Sequence, residues 1–409
     1  MTDAPPSSSN PSASNAPVHT PAQPPKTPQF PPHNAPRVWL LTNGASPISI
    51  NLARHLLAHG DYVVTCVSPW EIEKEERRGR EFGAFWEEIR RQGSKSNTKM
   101  KPWKERVRVV PLDVSSVSQA QAAVAEALSA FGMGIDILLL TTPSAVLGTV
   151  EELSQTPATV MLVRDQFEIN FFANVNLIKA VLPAMRERKN GHIVLLSGIT
   201  GHLGTPGLAT HCASQWAIEG YCDSLAYEIA PFNVKMTVVQ PNIEIGILTN
   251  RITSVPPMAE YAPDTNPAPF SREIFAGLLD KLEGAVMPTI MMDLVQTPVS
   301  TTTTSGDNAD VGTGLTTGDL LSSPSITSLY APLSTGTQTN LVAETVFALA
   351  AIGGHDNPPA RHIVGFEGVA SVKEKLKTVS EELEDFIEVS AAVDFTKEEG
   401  DAMTATVPG

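Results

Sequence analysis

The chain has 409 residues, 42 % of them hydrophobic, which is enough for a sizeable core in one large or two ordinary domains. Its net charge of −15 argues against nucleic acids and anionic membranes as partners. No apolar run approaches a membrane span, no secretory leader is apparent, and three unpaired cysteines (Cys66, Cys212, Cys222) fit a reducing, cytoplasmic or nuclear, setting.

Residues 1–36 are Pro-, Ser- and Asn-rich and read as a disordered tail. From residue 37 strands and helices alternate. Strands are predicted at 38–41, 62–67, 107–111, 135–140, 192–196 and 234–239. Helices are predicted at 48–58, 117–131, 165–188 and 208–229. The helix at 165–188 presents Phe167, Phe171, Val175, Ile178, Leu182 and Met185 on one face. An insertion at 70–105 holds a charged helix, 71–92, with Trp70, Phe85 and Trp86 as apolar anchors.

Past Pro241 the pattern loosens, and 296–340 reads as a long disordered loop rich in Thr, Ser and Gly. Order returns with a helix at 341–352, a strand at 362–365 and an amphipathic helix presenting Val372, Leu376, Val379, Leu383 and Phe386, before a tail at 391–409. Near-continuous apolar strands alternating with helices predict an α/β, doubly wound Rossmann fold. Its parallel sheet would be covered on both faces within one elaborated domain, 37–390.

The stretches VVPLDVSS (109–116), FEINFFANVNLIKAVLPAMRERKNGHIVLLSG (167–198) and GHLGTPGLATHCASQWAIEGYCDSLAYEIAPFNVKMTVVQPN (201–242) resemble the short-chain dehydrogenase/reductase family. The nearest flavour is its retinol- and hydroxysteroid-dehydrogenase-like branch. The resemblance implies a dinucleotide loop of pattern TGxxxGxG after the first strand. Aligned on Thr42, its three glycines fall on Asn43, Pro47 and Ser49. Pro47 lacks a backbone donor and Ser49 adds bulk, so the phosphate cradle is degraded. Ser46-Pro47 remains a good helix start, and the amides of Ile48 and Ser49 are left to meet an anion. The second strand ends Cys66-Val67-Ser68-Pro69, with no acidic or basic residue to read a ribose or its 2′-phosphate. Asp113 matches the family residue that touches adenine, and reads equally as a loop or capping aspartate. NAD(H) or NADP(H) is therefore expected to bind weakly, and no metal site is expected.

The resemblance also implies a catalytic Tyr, a Lys four residues on, a Ser thirteen residues before the Tyr and an Asn on the preceding helix. Those positions hold His211, Gln215, Gly198 and Asn170. Only the Asn matches. The element after the fourth strand reads Leu140-Thr141-Thr142-Pro143, and the corner after the sixth reads Pro241-Asn242. Ser197 adjoins the vacant Ser position and, by strand alternation, should face away. His211 is read as a pocket-lining residue or, alternatively, as a substitute proton donor near neutral pH.

Two functions follow as expectations. One is a pseudoenzyme with a binding, scaffold or regulatory role. The other is an active NAD(P)(H)-dependent oxidoreductase using a non-standard site on a lipid, steroid or other carbonyl or alcohol. Either is expected as a homodimer, or as a heterodimer with a relative, through the helices at 165–188 and 208–229. The small-molecule ligand stays unnamed.

Overall fold

The computed structural model describes residues 28–74, 76–92, 101–141, 144–241, 252–261, 273–274, 277 and 335–390. Seven parallel strands form the central sheet: β1 (Val38–Leu41), β2 (Tyr62–Val67), β3 (Val107–Pro111), β4 (Ile137–Thr141), β6 (Gly191–Leu196), β7 (Val234–Gln240) and β9 (Arg361–Ile363). Their spatial order is β3-β2-β1-β4-β6-β7-β9. The order reverses between β1 and β4, where an open α/β sheet forms its ligand crevice at the carboxyl ends of the strands. A second, two-stranded parallel sheet pairs β5 (Ala145–Leu147) with β8 (Ile252–Ser254). Three-residue strands carry too little periodicity to be legible in the sequence.

The inner strands are buried on both faces, which explains the apolar runs of β1 and β4, whereas the edge strands β3 and β9 are partly exposed. On one side Leu40, Val64, Leu138, Ile193 and Val238 pack with residues of α5 (Val117–Ala130), α7 (Ala173–Arg188) and α8 (Ala209–Ile229). On the other, Trp39, Leu41, Val63 and Leu139 meet α1 (Pro47–His59) and the helix Thr335–Ile352. The insertion joins this second layer. Its described residues are helical over α2 (Pro69–Lys74) and α3 (Glu76–Gln92). Phe85 and Ile89 of α3 are buried, and Arg54 of α1 pairs with Glu88 at 2.8 Å. A short α4 (Trp103–Arg106) leads into β3.

Four expectations are corrected. The helix expected from residue 165 begins at Pro157, as α6 (Pro157–Phe167), behind a Thr156/Thr159 capping box with Pro at N1. A π-helical turn, Glu168–Phe172, joins it to α7. The helix Thr335–Ile352, here α9, starts six residues before the expected 341, because its first turn is Thr, Gly, Gln and Asn without apolar periodicity. The tail expected through residue 36 is ordered against the domain at its end: Phe30 stacks on His59 with ring centroids 4.0 Å apart. In the last amphipathic helix, α10 (Phe366–Asp385), Val372 is buried, whereas Leu376 and Leu383 are exposed, as is Phe386 just beyond its end. Residues 1–27, most of 296–340, and 391–409 lie outside the described residues.

One buried histidine links the sheet to its edge. His192 on β6 accepts from the Gly354 amide at Nδ1 (3.0 Å), and its Nε2–H donates to Thr237 Oγ1 (3.0 Å). The Thr237 hydroxyl donates onward to the Pro359 carbonyl (2.8 Å). Burial pushes the His192 pKa down to about 3, so this chain of bonds holds a neutral ring at pH 7.

Candidate functional site

At the crevice between β1 and β4, Ser46 caps α1 and Pro47 opens it. The Ser46 hydroxyl accepts from the Ser49 amide at 3.1 Å, so that amide does not point out toward an anion. Ser46, Ile48 and Ser49 are all buried. Beside Asn43, Gly44 makes a close backbone approach to β2. Its amide donates to the Cys66 carbonyl at 2.6 Å. A Cβ there would lie 2.0 Å from Thr65 Oγ1 and 2.8 Å from the Cys66 carbonyl oxygen. The Asn43 carbonyl accepts from Ser46, closing the turn. After β3, Asp113 Oδ1 accepts from the amide (3.0 Å) and hydroxyl (2.6 Å) of Ser115, holding the turn before α5.

The positions of the family's catalytic groups lie farther along the same edge, where α6, the π turn and α8 meet the start of β5. The π turn places buried Asn170 inward. Its carbonyl accepts from Asn174 Nδ2 at 2.8 Å. The Asn170 amide grips the backbone of Ser144 from both sides: Oδ1 accepts from Ser144 N and Nδ2 donates to Ser144 O, each at 2.9 Å. Asn170 Nδ2 also lies 3.0 Å from Ser214 Oγ, whose hydroxyl donates to the His211 carbonyl. The Ser144 carbonyl further accepts from Gln166 Nε2 (3.0 Å) and His211 Nδ1 (3.1 Å). That bond fixes the His211 proton on Nδ1, because a carbonyl can only accept. Burial lowers the His211 pKa to about 4, against a smaller rise from the Ser144 carbonyl. A neutral imidazole with its proton committed to the backbone does not match the reading of His211 as a proton donor near neutral pH.

A second knot surrounds Gln215. Ser197 does not face away: its hydroxyl donates to Glu219 Oε1 (2.5 Å) and lies 3.0 Å from Gln215 Oε1. Ser197 follows the last residue of β6, so strand alternation no longer sets its direction. Gln240 Nε2 donates to both Glu219 oxygens (2.8 and 2.9 Å), and Gln240 Oε1 accepts from His202 Nε2 (3.1 Å). Arg361 on β9 closes the network, with Nε 3.6 Å from Glu219 and Nη2 2.5 Å from Asp223. Gly198 is extended, and a Cβ on it would find Thr200 Oγ1 at 3.3 Å and nothing else closer than 3.8 Å. A serine there would fit with a small adjustment.

The structure thus gathers Asn170, His211 and Gln215 along one helix-lined edge, and holds Asn43, Pro47 and Ser49 at the crevice; Asp113 stands apart on its turn. Sequence reading missed Ser144, Gln166, Ser214, Glu219 and Gln240. The four-residue spacing of His211, Gln215 and Glu219 marks one face of α8 and was a usable signal. So was Gln166, four before Asn170. Thr142, Pro143 and Asn242 lie outside the described residues. The thiols are packed in the interior: burial pushes Cys66 up to about 12 and raises Cys212 and Cys222.

A parallel, doubly wound sheet with this crevice and this helix edge defines a Rossmann-type, NAD(P)-binding fold. A family model described as short chain dehydrogenase matches residues 86–251. An oxidoreductase of Botryotinia fuckeliana, BOA17, is 30 % identical over 215 residues, covering 52 % of this chain and 67 % of the relative. Human retinol dehydrogenase 8 is 32 % identical over 180 residues, covering 42 % of this chain and 55 % of that protein, little more than half its length. A short-chain dehydrogenase from Streptomyces avermitilis superposes with a TM-score of 0.58 at 21 % identity, covering 88 % of this chain and 100 % of the other, a likeness of fold. The chain belongs to the short-chain dehydrogenase/reductase family. Among the described residues no helix is long and apolar enough to cross a membrane.

Proposed function

We propose that this chain is a catalytically silent member of its family, with a binding, scaffold or regulatory role. The observation that carries the reading is where the polar groups at the family's catalytic positions are spent. His211 is committed to the Ser144 carbonyl, and Gln215 Oε1 is packed 3.0 Å from the Ser197 hydroxyl, both side chains deeply buried. Gln215 has no charge with which to depress a neighbour's pKa, and Gly198 has no hydroxyl to polarise a carbonyl. General acid–base catalysis alone is typically worth about 10²–10⁴-fold, and here the acid, its cation and the carbonyl donor are all replaced.

The residues at the crevice do not fit a pyrophosphate either. Pro47 offers no amide, the Ser49 amide is taken by Ser46, and no acidic or basic side chain stands at the end of β2. No step is therefore routed through a nicotinamide. A role as a partner suits the faces left open along the α6–α8 side, where Phe172 and Tyr227 are exposed. A homodimer, or a heterodimer with an active relative, is the assembly proposed. A cytoplasmic location belongs to the same reading.

Two measurements test it together. Calorimetry should give millimolar or weaker dissociation constants for NAD(H) and NADP(H), about 4 kcal/mol of binding free energy. NADPH consumption against ketones, aldehydes, retinoids and steroids should stay at background. Family membership supports the opposing reading, an oxidoreductase with an unorthodox site. Micromolar nucleotide affinity, with turnover that vanishes in His211→Ala, would establish that reading and overturn this one.

A further inference from the structure

On the opposite side of the molecule from the catalytic positions, the chain entering β1 folds back over the end of α1. Helix α1 ends at His59, and Gly60 (φ 117°) closes it by donating to the Leu56 carbonyl, which sets His59 beside Asp61 at the start of β2. The incoming segment adds His33. We propose that His33, His59 and Asp61 form a divalent-metal site of the zinc class, with Nε2 of His33, Nδ1 of His59 and an Asp61 carboxylate oxygen as ligands.

The geometry is the first support. His33 Nε2 and His59 Nδ1 are 3.4 Å apart, His33 Nε2 lies 3.9 Å from Asp61 Oδ1, and His59 Nδ1 lies 3.7 Å from Asp61 Oδ2. Bonds of about 2.0–2.2 Å at a tetrahedral angle place neighbouring ligand atoms roughly 3.3–3.6 Å apart. The two carboxylate distances run to different oxygens, and the three ligand atoms lie within 4.8 Å of one another, so closing by about 1 Å through carboxylate or imidazole rotation would bring all three onto one ion. Two imidazoles and one carboxylate are a zinc-class donor set, whereas calcium and magnesium prefer oxygen alone.

The surroundings of the ligands are the second. His33 Nδ1 donates to the Ala35 carbonyl at 2.7 Å, which leaves the Nε2 lone pair free to coordinate. Phe30 stacks on the His59 ring and fixes its plane. Asp61 is fully buried, and its carboxylate accepts from the Arg37 amide (3.0 Å) and from Trp39 Nε1 (3.3 Å). Ligands oriented by outer partners in this way are what metal sites require.

Three cationic side chains are close. Arg37 Nη2 is 3.4 Å from Asp61 Oδ2, Arg106 Nη1 donates to the Asp61 backbone carbonyl, and Lys101 lines the same cavity. They disfavour a second positive charge, so the affinity expected is micromolar rather than that of a closed structural zinc. His33 and His59 line a cavity of about 360 Å³ together with Lys101 and Arg106. The fourth position opens toward that positive wall, where a hydroxide, carboxylate or other small anion would complete the shell. The ion would also fasten the segment before β1 onto the domain.

The test uses tag-free full-length protein, stripped with chelator. Zinc titrated against a competing indicator should bind one ion per chain, and His33→Ala or His59→Ala should each weaken binding at least tenfold. His55→Ala, a histidine of α1 outside the cluster, should leave binding unchanged. Cobalt(II) should give the intense visible bands of tetrahedral coordination, and these should be lost in both variants. Neither variant removes a core side chain, and a far-ultraviolet dichroism spectrum checks that each remains folded. No stoichiometric binding would overturn the proposal and leave His33 and His59 as a hydrogen-bonded pair. Binding that survives both substitutions would place the ion elsewhere and overturn it equally.

Discussion

Two histidines with strongly depressed pKa values make this fold sensitive to mild acid. His192 sits near 3 and His211 near 4, both because burial penalises the charged ring. In the unfolded chain each titrates near its ordinary value of about 6.5. Between the folded and unfolded values the unfolded state binds more protons, so stability falls as pH falls. The contribution is whole above about pH 6.5, declines below it, and levels off near 4 for His211 and near 3 for His192. At pH 5 the linkage amounts to about 2 kcal/mol for each residue, about 4 kcal/mol together. That is a large share of a typical stability of about 5–15 kcal/mol. Urea unfolding at pH 7.5 and pH 5.0 measures it. In His192→Gln the pH dependence should shrink by about half, because the amide can donate to Thr237 without titrating. A stability that is flat between pH 7.5 and 5.0, or a slope unchanged in His192→Gln, would refute the assignment of a neutral, proton-excluding ring on β6.

Gly44→Ala should destabilise by about 1–3 kcal/mol, since its Cβ would press on Thr65 and on the rigid Cys66 carbonyl; a thermal melt checks it, and an unchanged midpoint would mean that the loop is not packed on β2. The open face along α6–α8 should mediate self-association: light scattering at micromolar concentration should report a dimer, shifted toward monomer by Phe172→Glu or Tyr227→Glu. A monomer in the parent protein, with no relative recovered on it, would count against that face.

The fold was legible in the sequence because its signals repeat. Six of the seven sheet strands carry short runs rich in Val, Ile or Leu, most of them buried on both faces, and the helices between them keep a 3.6-residue period. Boundaries failed where a local rule competes with periodicity. Thr156-Pro157 starts a helix by capping, eight residues before the apolar face becomes visible, and the π turn at Glu168–Phe172 shifts the register within it. The face of α10 failed for another reason: its pattern is amphipathic, yet among the described residues Leu376, Leu383 and Phe386 have no apolar cover.

The site was legible in its losses more than in its contacts. Motif comparison shows that position 215 holds no cation and position 198 no hydroxyl, but it cannot show what the replacement side chains do. That depends on long-range neighbours: Ser144 for Asn170 and His211, and Ser197 and Glu219 for Gln215. A group lost from a working active site usually leaves a polar neighbour without a partner. That holds beside Gly198, where the Thr200 hydroxyl is buried without a hydrogen-bond partner among the described residues, whereas the neighbours of the missing tyrosine and lysine are bonded to one another. Glu219, buried on α8, is answered by Ser197, Gln240 and Arg361 rather than stranded. Such an arrangement stabilises the closed edge of the domain as it stands, so a lysine restored at position 215 would first have to displace contacts that now join β6, β7, β9 and α8, whereas a serine at position 198 needs only a small adjustment.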